Sequence, residues 1–239
     1  MAQARGERYL RPMQDHPLDR AVWHALTTRQ ADLALGGALA RRIREDIGPF
    51  AALRDASAEA VEALGALTHA DDDLSLLEPT PPPPPAGVAL KMSAPGVQMV
   101  AGKLAASGKS FAIETLTAAD APEMLELALL TKPGPFRAQT HTLGRFIGVR
   151  DHGRLVAMAG ERLKLPGFTE VSGVCTHPDY RGHGYAAALT LAVADRLQRE
   201  GETPFLHAYA SNVGAIELYK RLGFDLRCNV VHAMWTRDE

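Results

Sequence analysis

The residues best suited to chemistry lie in one segment, 174–188, whose sequence is VCTHPDYRGHGYAAA. Its first residues are typical of a strand and its last residues begin a helix, with Gly182 and Gly184 in the turn between them. The start of a helix leaves about four backbone N–H groups unpaired and carries roughly half a positive charge. Because glycine has no side chain to block a close approach, the segment predicts a cradle for a phosphate or another anion. The turn alone does not distinguish a binding site from a turn that binds nothing.

The elements that position this segment alternate between strands and helices. A strand at 169–177 leads into the turn, and the following helix at 184–199 carries Leu189, Val193 and Leu197 on one face. The other elements predicted for this half of the chain are a strand at 111–117, a helix at 118–130 with Asp120 as its N-cap, a hairpin turn at Asp151–Gly153, a strand at 205–209, a helix at 212–222 and a strand at 230–235.

Two motifs in this half resemble the GCN5-related N-acetyltransferases, the GNAT superfamily. Arg181, Gly184 and Ala186 match that family's Gln/Arg-x-x-Gly-x-Gly/Ala signature. The sequence FLHAYASNVGAIELYKRLGF at 205–224 resembles the family's fifth strand and the helix that follows it. The resemblance covers about residues 111–235 and is greatest to the FR47-like branch of the superfamily.

The resemblance implies both a fold and a reaction. The fold is α/β, a mixed and mostly antiparallel sheet flanked by helices and splayed between the strands at 169–177 and 205–209. The reaction is transfer of an acetyl group from acetyl-coenzyme A to an amine, by direct attack of the amine on the thioester. We expect the slot for the amine to be built from residues 132–142, the hairpin near Asp151 and part of the N-terminal region.

The resemblance also assigns residues to coenzyme A binding. Backbone amides of 182–187 would hold the pyrophosphate with Arg181 at the rim, and the strand residues 174–176 would bond the pantetheine arm and polarise the thioester carbonyl. Asn212 lies where the family commonly contacts the cofactor, and a helix N-cap is its alternative or additional role. The predicted cofactor-binding set is Val174, Cys175, Thr176, Arg181, Gly182, His183, Gly184, Tyr185, Ala186, Ala187 and Asn212.

Two residues are candidates for moving protons. Tyr219 occupies the family's usual general-acid position, from which a phenol protonates the leaving thiolate; the alternative is an aromatic residue that only packs. Glu170 stands eleven residues before Arg181, the offset of the catalytic glutamate in histone-acetylating members of the family. A carboxylate on a partly buried strand is expected to have a raised pKa, which suits a base for the amine. The alternative for Glu170 is a strand residue that faces solvent.

Other chemistries have less support. Cys175 has no activating partner in the sequence and is typical of a small apolar strand residue. His177, His183, His207 and His232 do not show the spacing of metal ligands, so no metal site is predicted. Two competing functions stay open, namely a protein that binds or senses acyl-coenzyme A without turnover, and an acyltransferase that uses a longer acyl chain or an oxygen acceptor.

The first part of the chain shows no spacing that indicates chemistry. Residues 26–44 have a helical composition, although Gly36-Gly37 should interrupt the helix. Ser57 should cap a helix that runs to Leu67, and strands are expected at 50–53 and 74–77.

The clearest change of composition is EPTPPPPPAG at 78–87. Consecutive prolines favour polyproline II, so this run indicates a stiff connector between strands or subdomains, with an SH3-type ligand as the alternative. We therefore divide the chain into an N-terminal α/β region, 1–108, and a GNAT domain, 109–239. A degenerate second copy of the fold is the alternative for the first part, and the second part is expected to bind acetyl-coenzyme A by itself.

Composition restricts the class of partner. Charged residues make up 23% of the chain and the formal net charge is −2, which lacks the basic surface of a nucleic-acid-binding protein. The 2 cysteines suit a reducing compartment. A polar start and the lack of any run of about 18 apolar residues argue against a leader or a membrane span. We expect a cytoplasmic protein that takes a small-molecule or peptide amine, with no nucleic-acid or membrane partner, and leave homodimerisation open.

Overall fold

The computed structural model describes residues 16–70, 72–106, 108 and 110–237. Residues 1–15, on which the expectation about a leader depends, lie outside them. The helices are α1 (Ala21–Thr27), α2 (Ala58–Gly65), α3 (Ala121–Thr131), α4 (Tyr185–Arg199) and α5 (Val213–Leu222). The strands are β1 (Ala34–Gly36), β2 (Ala40–Ile43), β3 (Ala51–Leu53), β4 (Leu74–Glu78), β5 (Val88–Ala101), β6 (Glu114–Leu116), β7 (Phe146–Asp151), β8 (Arg154–Leu165), β9 (Phe168–Thr176), β10 (Thr203–Tyr209) and β11 (Phe224–Arg237). Within the described ranges, no helix is long and apolar enough to cross a membrane.

The main sheet has eight strands in the order β4-β11-β5-β10-β9-β8-β7-β6. Every neighbouring pair is antiparallel except β9 and β10, which run parallel. A smaller sheet consists of β1, β2 and β3. The prediction of a mixed, mostly antiparallel sheet flanked by helices is therefore confirmed.

The parallel pair β9 and β10 separates soon after it begins. The two strands pair only where Phe168–Glu170 meets Thr203–Phe205. Beyond those residues β9 stays paired with β8 and β10 stays paired with β5, so each strand keeps one edge without a strand partner among the residues that the structure describes. The predicted splay is present, and it opens a wedge in the middle of the sheet.

The main sheet crosses the boundary that the sequence analysis places after residue 108. Strand β5, from the first part of the chain, hydrogen-bonds to β10 on one side and to β11 on the other. The proline run at 78–87 connects β4 to β5, which agrees with its interpretation as a connector between strands. The sequence pattern does not predict β5, because Pro95 and Gly96 lie in its middle and both residue types argue against a central strand.

The two faces of the sheet are covered by different parts of the chain. Helix α4 buries Leu189, Val193 and Leu197 against one face. On the other face, α1 and the small sheet pack over Phe205 and Val230. The wedge between β9 and β10 thus lies between a helical layer and an N-terminal layer.

The predicted helix at 26–44 is wrong. Helix α1 ends at Thr27, and the chain then forms the hairpin of β1 and β2. Gly36 has φ of +105° and a Cβ there would lie 2.4 Å from the Ala40 carbonyl oxygen, so the glycine forms the turn of the hairpin. The helix after Ser57 and the strand at 74–77 are confirmed, and the Ser57 hydroxyl accepts a hydrogen bond from the Ala60 amide at 3.3 Å.

Candidate active site

A cavity of about 550 Å³ lies at the wedge between β9 and β10. Its walls come from the start of α4, the free edge of β9, β10, α5, the loop after α3 and, across the sheet, Phe50, Leu77 and Val230. The cavity therefore has a side near the helical layer and a side near the N-terminal layer.

The helical side contains the predicted anion cradle. Gly184 is the N-cap of α4 with φ of +97°, and Gly182 has φ of +82°. Only glycine adopts these conformations without strain. No side chain in the described part of the chain caps α4, so its first amides are free to bind a ligand, and the exposed Arg181 lies beside them at the cavity wall.

Most of the predicted cofactor-binding residues line this cavity. They are Val174, Cys175, Thr176, Arg181, Gly182, Gly184, Tyr185, Ala186, Ala187 and Asn212. His183 does not line it; its ring stacks on Tyr185, and its Nδ1 lies 3.0 Å from the Tyr180 carbonyl oxygen. The structure thus brings the motif residues together but turns the His183 side chain elsewhere.

The backbone of β9 at 174–176 faces the wedge without a strand partner on that edge. An extended ligand can pair with such an edge. Burial raises the pKa of the Cys175 thiol to about 11, so this cysteine is not a reactive nucleophile. Asn212 is the N-cap of α5, its Oδ1 accepting from the Ala215 amide at 3.3 Å, and it also lines the cavity. Both roles suggested for Asn212 are therefore compatible.

Tyr219 lies on α5 and lines the cavity. Its ring packs edge-on against Phe224 at 6.2 Å between centroids, while its hydroxyl has no hydrogen-bond partner among the described residues. Burial raises the pKa of Tyr219 to about 12. The phenol is thus protonated at neutral pH and able to donate.

Glu170 has an environment unlike the expected one. Its side chain is fully buried and does not line the cavity. The carboxylate accepts from Arg162 Nε at 2.7 Å, from Arg162 Nη2 at 2.5 Å and from His207 Nδ1 at 2.7 Å. Burial would raise its pKa, but the charge of Arg162 and the hydrogen bonds from Arg162 and His207 outweigh burial and lower the pKa to about 2. The expected rise in the pKa of Glu170 is therefore wrong in direction.

The orientation of His207 is fixed by Gln98. The Gln98 Oε1 accepts from Arg227 Nη1 at 2.9 Å, so Nε2 is the donor end of this amide, and it donates to the Leu18 carbonyl at 2.9 Å. The same Nε2 lies 3.1 Å from His207 Nε2, which must therefore accept. His207 is thus the neutral tautomer with its hydrogen on Nδ1, directed at Glu170.

A second histidine lies on the same face of the sheet. His232 Nδ1 lies 2.8 Å from the Tyr209 hydroxyl, and the ring is buried. Burial, together with the positive charge of Arg162, lowers the pKa of His232 to about 4. Its Nε2 has no hydrogen-bond partner within the described part of the chain. His232 is therefore neutral at physiological pH.

The N-terminal side of the cavity combines these polar groups with apolar walls. Arg162, His207, Tyr209 and His232 line it with Phe50, Leu77 and Val230. The sequence pattern predicts no binding role for these polar residues, and His207 and His232 enter it only as rejected metal ligands. Of the slot predicted for the amine, residues 132–135 line the cavity, whereas the hairpin residue Asp151 does not and instead accepts from the Tyr180 hydroxyl at 2.9 Å.

Comparison with known proteins identifies the family. The FR47-like protein family matches residues 146–235. A crystal structure of a candidate GNAT-family acetyltransferase from Novosphingobium aromaticivorans is 43% identical, covers 94% of this chain and 100% of its own, and has a TM-score of 0.88. A GCN5-related N-acetyltransferase from Kribbella flavida, 18% identical over 92% of this chain and 96% of its own, shares the fold with a TM-score of 0.62. A GCN5-related N-acetyltransferase-like protein from Streptococcus suis, 16% identical over 93% of this chain and 95% of its own, also shares the fold with a TM-score of 0.56. Comparison with curated proteins gives no match. The chain therefore belongs to the GNAT family of acetyltransferases.

Proposed function

We propose that this acetyltransferase moves an acetyl group from acetyl-coenzyme A to an amine. The observation that carries the proposal is the cavity at the wedge between β9 and β10. It joins a helix N-terminus suited to a pyrophosphate to a polar chamber on the other face of the sheet. A donor with a long arm and an acceptor can thus meet in the gap without either one crossing the core.

The residues on the helical side fit coenzyme A. The first amides of α4 and Arg181 would hold the pyrophosphate, and the unpaired edge of β9 would bond the pantetheine arm. When bound, acetyl-coenzyme A supplies the thioester from which the acetyl group is transferred. Amides at 174–176 would then donate to the thioester carbonyl, where negative charge develops.

Of the two proton transfers in this reaction, we assign one to a residue of this chain. Transfer forms a bond between the amine nitrogen and the acetyl carbon and breaks the bond from that carbon to sulfur. We assign the proton that the departing thiolate gains to the hydroxyl of Tyr219, while the amine loses one proton to solvent and solvent returns one to Tyr219. Because the oxygens of Glu170 already accept from Arg162 and His207, we propose that Glu170 positions these two side chains rather than removing the amine proton itself.

The proposal is tested by measuring thiol release from acetyl-coenzyme A in the presence of amino acids, amines, polyamines, aminoglycosides and peptides, beside calorimetry of acetyl-coenzyme A alone. An acetyltransferase binds the donor and releases thiol only with certain amines. Binding without release with any amine would indicate a sensor. Release only with alcohols, or only from longer acyl-coenzyme A, would contradict the assigned acceptor or donor.

A further inference from the structure

The charged side chains that line the cavity all have the same sign. Within the described residues they are Lys132, Arg162 and Arg181, and no Asp or Glu lines the cavity. Glu170 is fully buried behind Arg162 and His207, with its oxygens engaged. An acceptor with several ammonium groups would therefore bring its charges beside Lys132 or Arg162 with no carboxylate to pair with them.

Arg162 is held in place before any ligand binds. Its Nε and Nη2 both donate to Glu170, and its guanidinium carbon lies 4.5 Å from the centre of the Phe50 ring. Nη1 makes no hydrogen bond with the described residues. A buried ion pair adds little net stability compared with apolar residues, so its presence at a cavity wall favours a binding role. A fixed guanidinium with a free N–H binds a carboxylate at little entropic cost.

The groups beside Arg162 are neutral or apolar. Hydrogen bonding makes His207 a neutral tautomer, and the buried His232 has an unpartnered Nε2 and a bond to the Tyr209 hydroxyl. The positive charge of Arg162 is consequently not opposed on the cavity side. Phe50, Leu77 and Val230 complete the wall with apolar surface.

We propose that the acceptor is an amine that also carries a carboxylate, and that Arg162 binds this carboxylate through Nη1. The apolar wall favours an apolar side chain on the same molecule, which makes an α-amino acid the simplest acceptor of this class. This inference depends on the proposed function, because it names the substrate class of that same cavity.

The test compares matched acceptors with the full-length protein. Thiol release from acetyl-coenzyme A is measured with each of the common amino acids, with the carboxamide of each, and with the amine left after removal of its carboxylate. We expect turnover with at least one apolar amino acid, and a kcat/KM at least about 10-fold lower for its carboxamide and its decarboxylated amine. Equal rates for acid and amide, or a preference for polyamines, would overturn the inference and leave the proposed function intact. No thiol release with any amine would overturn both.

A variant locates the carboxylate site. Arg162→Lys keeps the charge beside Glu170 but loses the planar guanidinium and its several N–H donors. We therefore expect a KM for the amino acid about 10- to 100-fold higher, with unchanged affinity for acetyl-coenzyme A. Arg199→Lys is the control, because Arg199 is exposed on α4 and pairs with Asp195 away from the cavity. If Arg162→Lys fails to fold, the double variant Arg162→Leu/Glu170→Leu removes both buried charges and should lose the preference for the acid over its amide. A variant that folds and keeps that preference would contradict the role of Arg162.

Discussion

At the scale of single residues, Tyr219 presents a hydroxyl to the cavity that no described residue binds. Replacing Tyr219 with Phe keeps the ring that packs on Phe224, so we expect unchanged affinity for acetyl-coenzyme A by calorimetry. We expect kcat to fall about 100-fold, the lower end for a general acid, because a thiolate needs little help. Since the raised pKa of about 12 keeps the phenol protonated, the pH profile of the wild-type kcat should show no alkaline limb due to Tyr219 below about pH 10. A Phe variant with wild-type kcat would remove Tyr219 from the mechanism.

Glu170 supports a prediction about stability. Glu170→Gln leaves the partly buried Arg162 without its fully buried counter-charge, which should cost about 3–5 kcal/mol of unfolding free energy in urea denaturation at pH 7. The control Glu217→Gln removes an exposed pair with Lys220 and should leave the midpoint unchanged. Loss of stability equal to that of the control would show that the buried pair is not formed.

The pH dependence of stability follows from the same carboxylate. The folded pKa of Glu170, about 2, is below the unfolded value, so its contribution is present above roughly pH 4.3 and is lost as the pH falls from there towards 2. The unfolding free energies of the wild type and of Glu170→Gln, measured as the pH is lowered, should therefore converge in this range. For the same reason, the pH profile of kcat/KM should show no acidic limb due to Glu170 between pH 5 and pH 8. A base with a raised pKa would titrate in that range. Such a limb, lost in Glu170→Gln, would restore Glu170 as the base.

Some functional residues were predictable from the sequence and others were not. Arg181, Asn212 and Tyr219 stand in local motifs whose spacing fixes their place on a turn or a helix. The polar cluster of Arg162 and His207 depends on the pairing of β8, β9, β10 and β5, which no local pattern reveals. The direction of the pKa of Glu170 was mistaken for this reason, because burial was visible in the strand pattern and its two partners were not.

At the scale of elements, the start of α4 decides donor binding. Gly184→Asp would place a side chain and a negative charge where the pyrophosphate approaches, against the field of the helix. We expect acetyl-coenzyme A binding to be lost in calorimetry, with the circular dichroism spectrum retained. The matched control is Gly201→Asp, which has a similar φ of +81° and open space around it but lies beyond the other end of α4. Wild-type affinity in Gly184→Asp would exclude this turn as the phosphate site.

The elements of the second half follow their sequence patterns closely, because each has a cap or a turn with its own signal. His152 and Gly153 form the predicted hairpin turn with φ of +46° and +83°. Asp120 is the N-cap of α3 as expected, although its carboxylate accepts from the Thr117 amide at 2.7 Å and not from the helix. The wrong or missing secondary-structure predictions lie in the first half of the chain. There Gly36 forms the β1–β2 turn, and Pro95 and Gly96 lie inside β5.

At the scale of the whole molecule, the place of β5 changes the expectation for a fragment. Residues 109–239 alone would lack the strand between β10 and β11, leaving two long edges unpaired. We now expect this fragment to fail to fold, where the sequence alone suggested an independent unit that binds acetyl-coenzyme A. A fragment of 72–239 restores β4 and β5 and serves as the comparison. A soluble 109–239 fragment with native-like amide dispersion and donor affinity would contradict the shared sheet.

Donor and acceptor are proposed to meet in the wedge of one sheet from opposite faces. The decisive experiment is a crystal structure of the full-length protein with coenzyme A and an apolar amino acid. We expect the pyrophosphate on the first amides of α4, the sulfur within reach of the Tyr219 hydroxyl, and the carboxylate of the amino acid on Arg162. Coenzyme A bound elsewhere, or an amino acid on the same face of the sheet as α4, would contradict it.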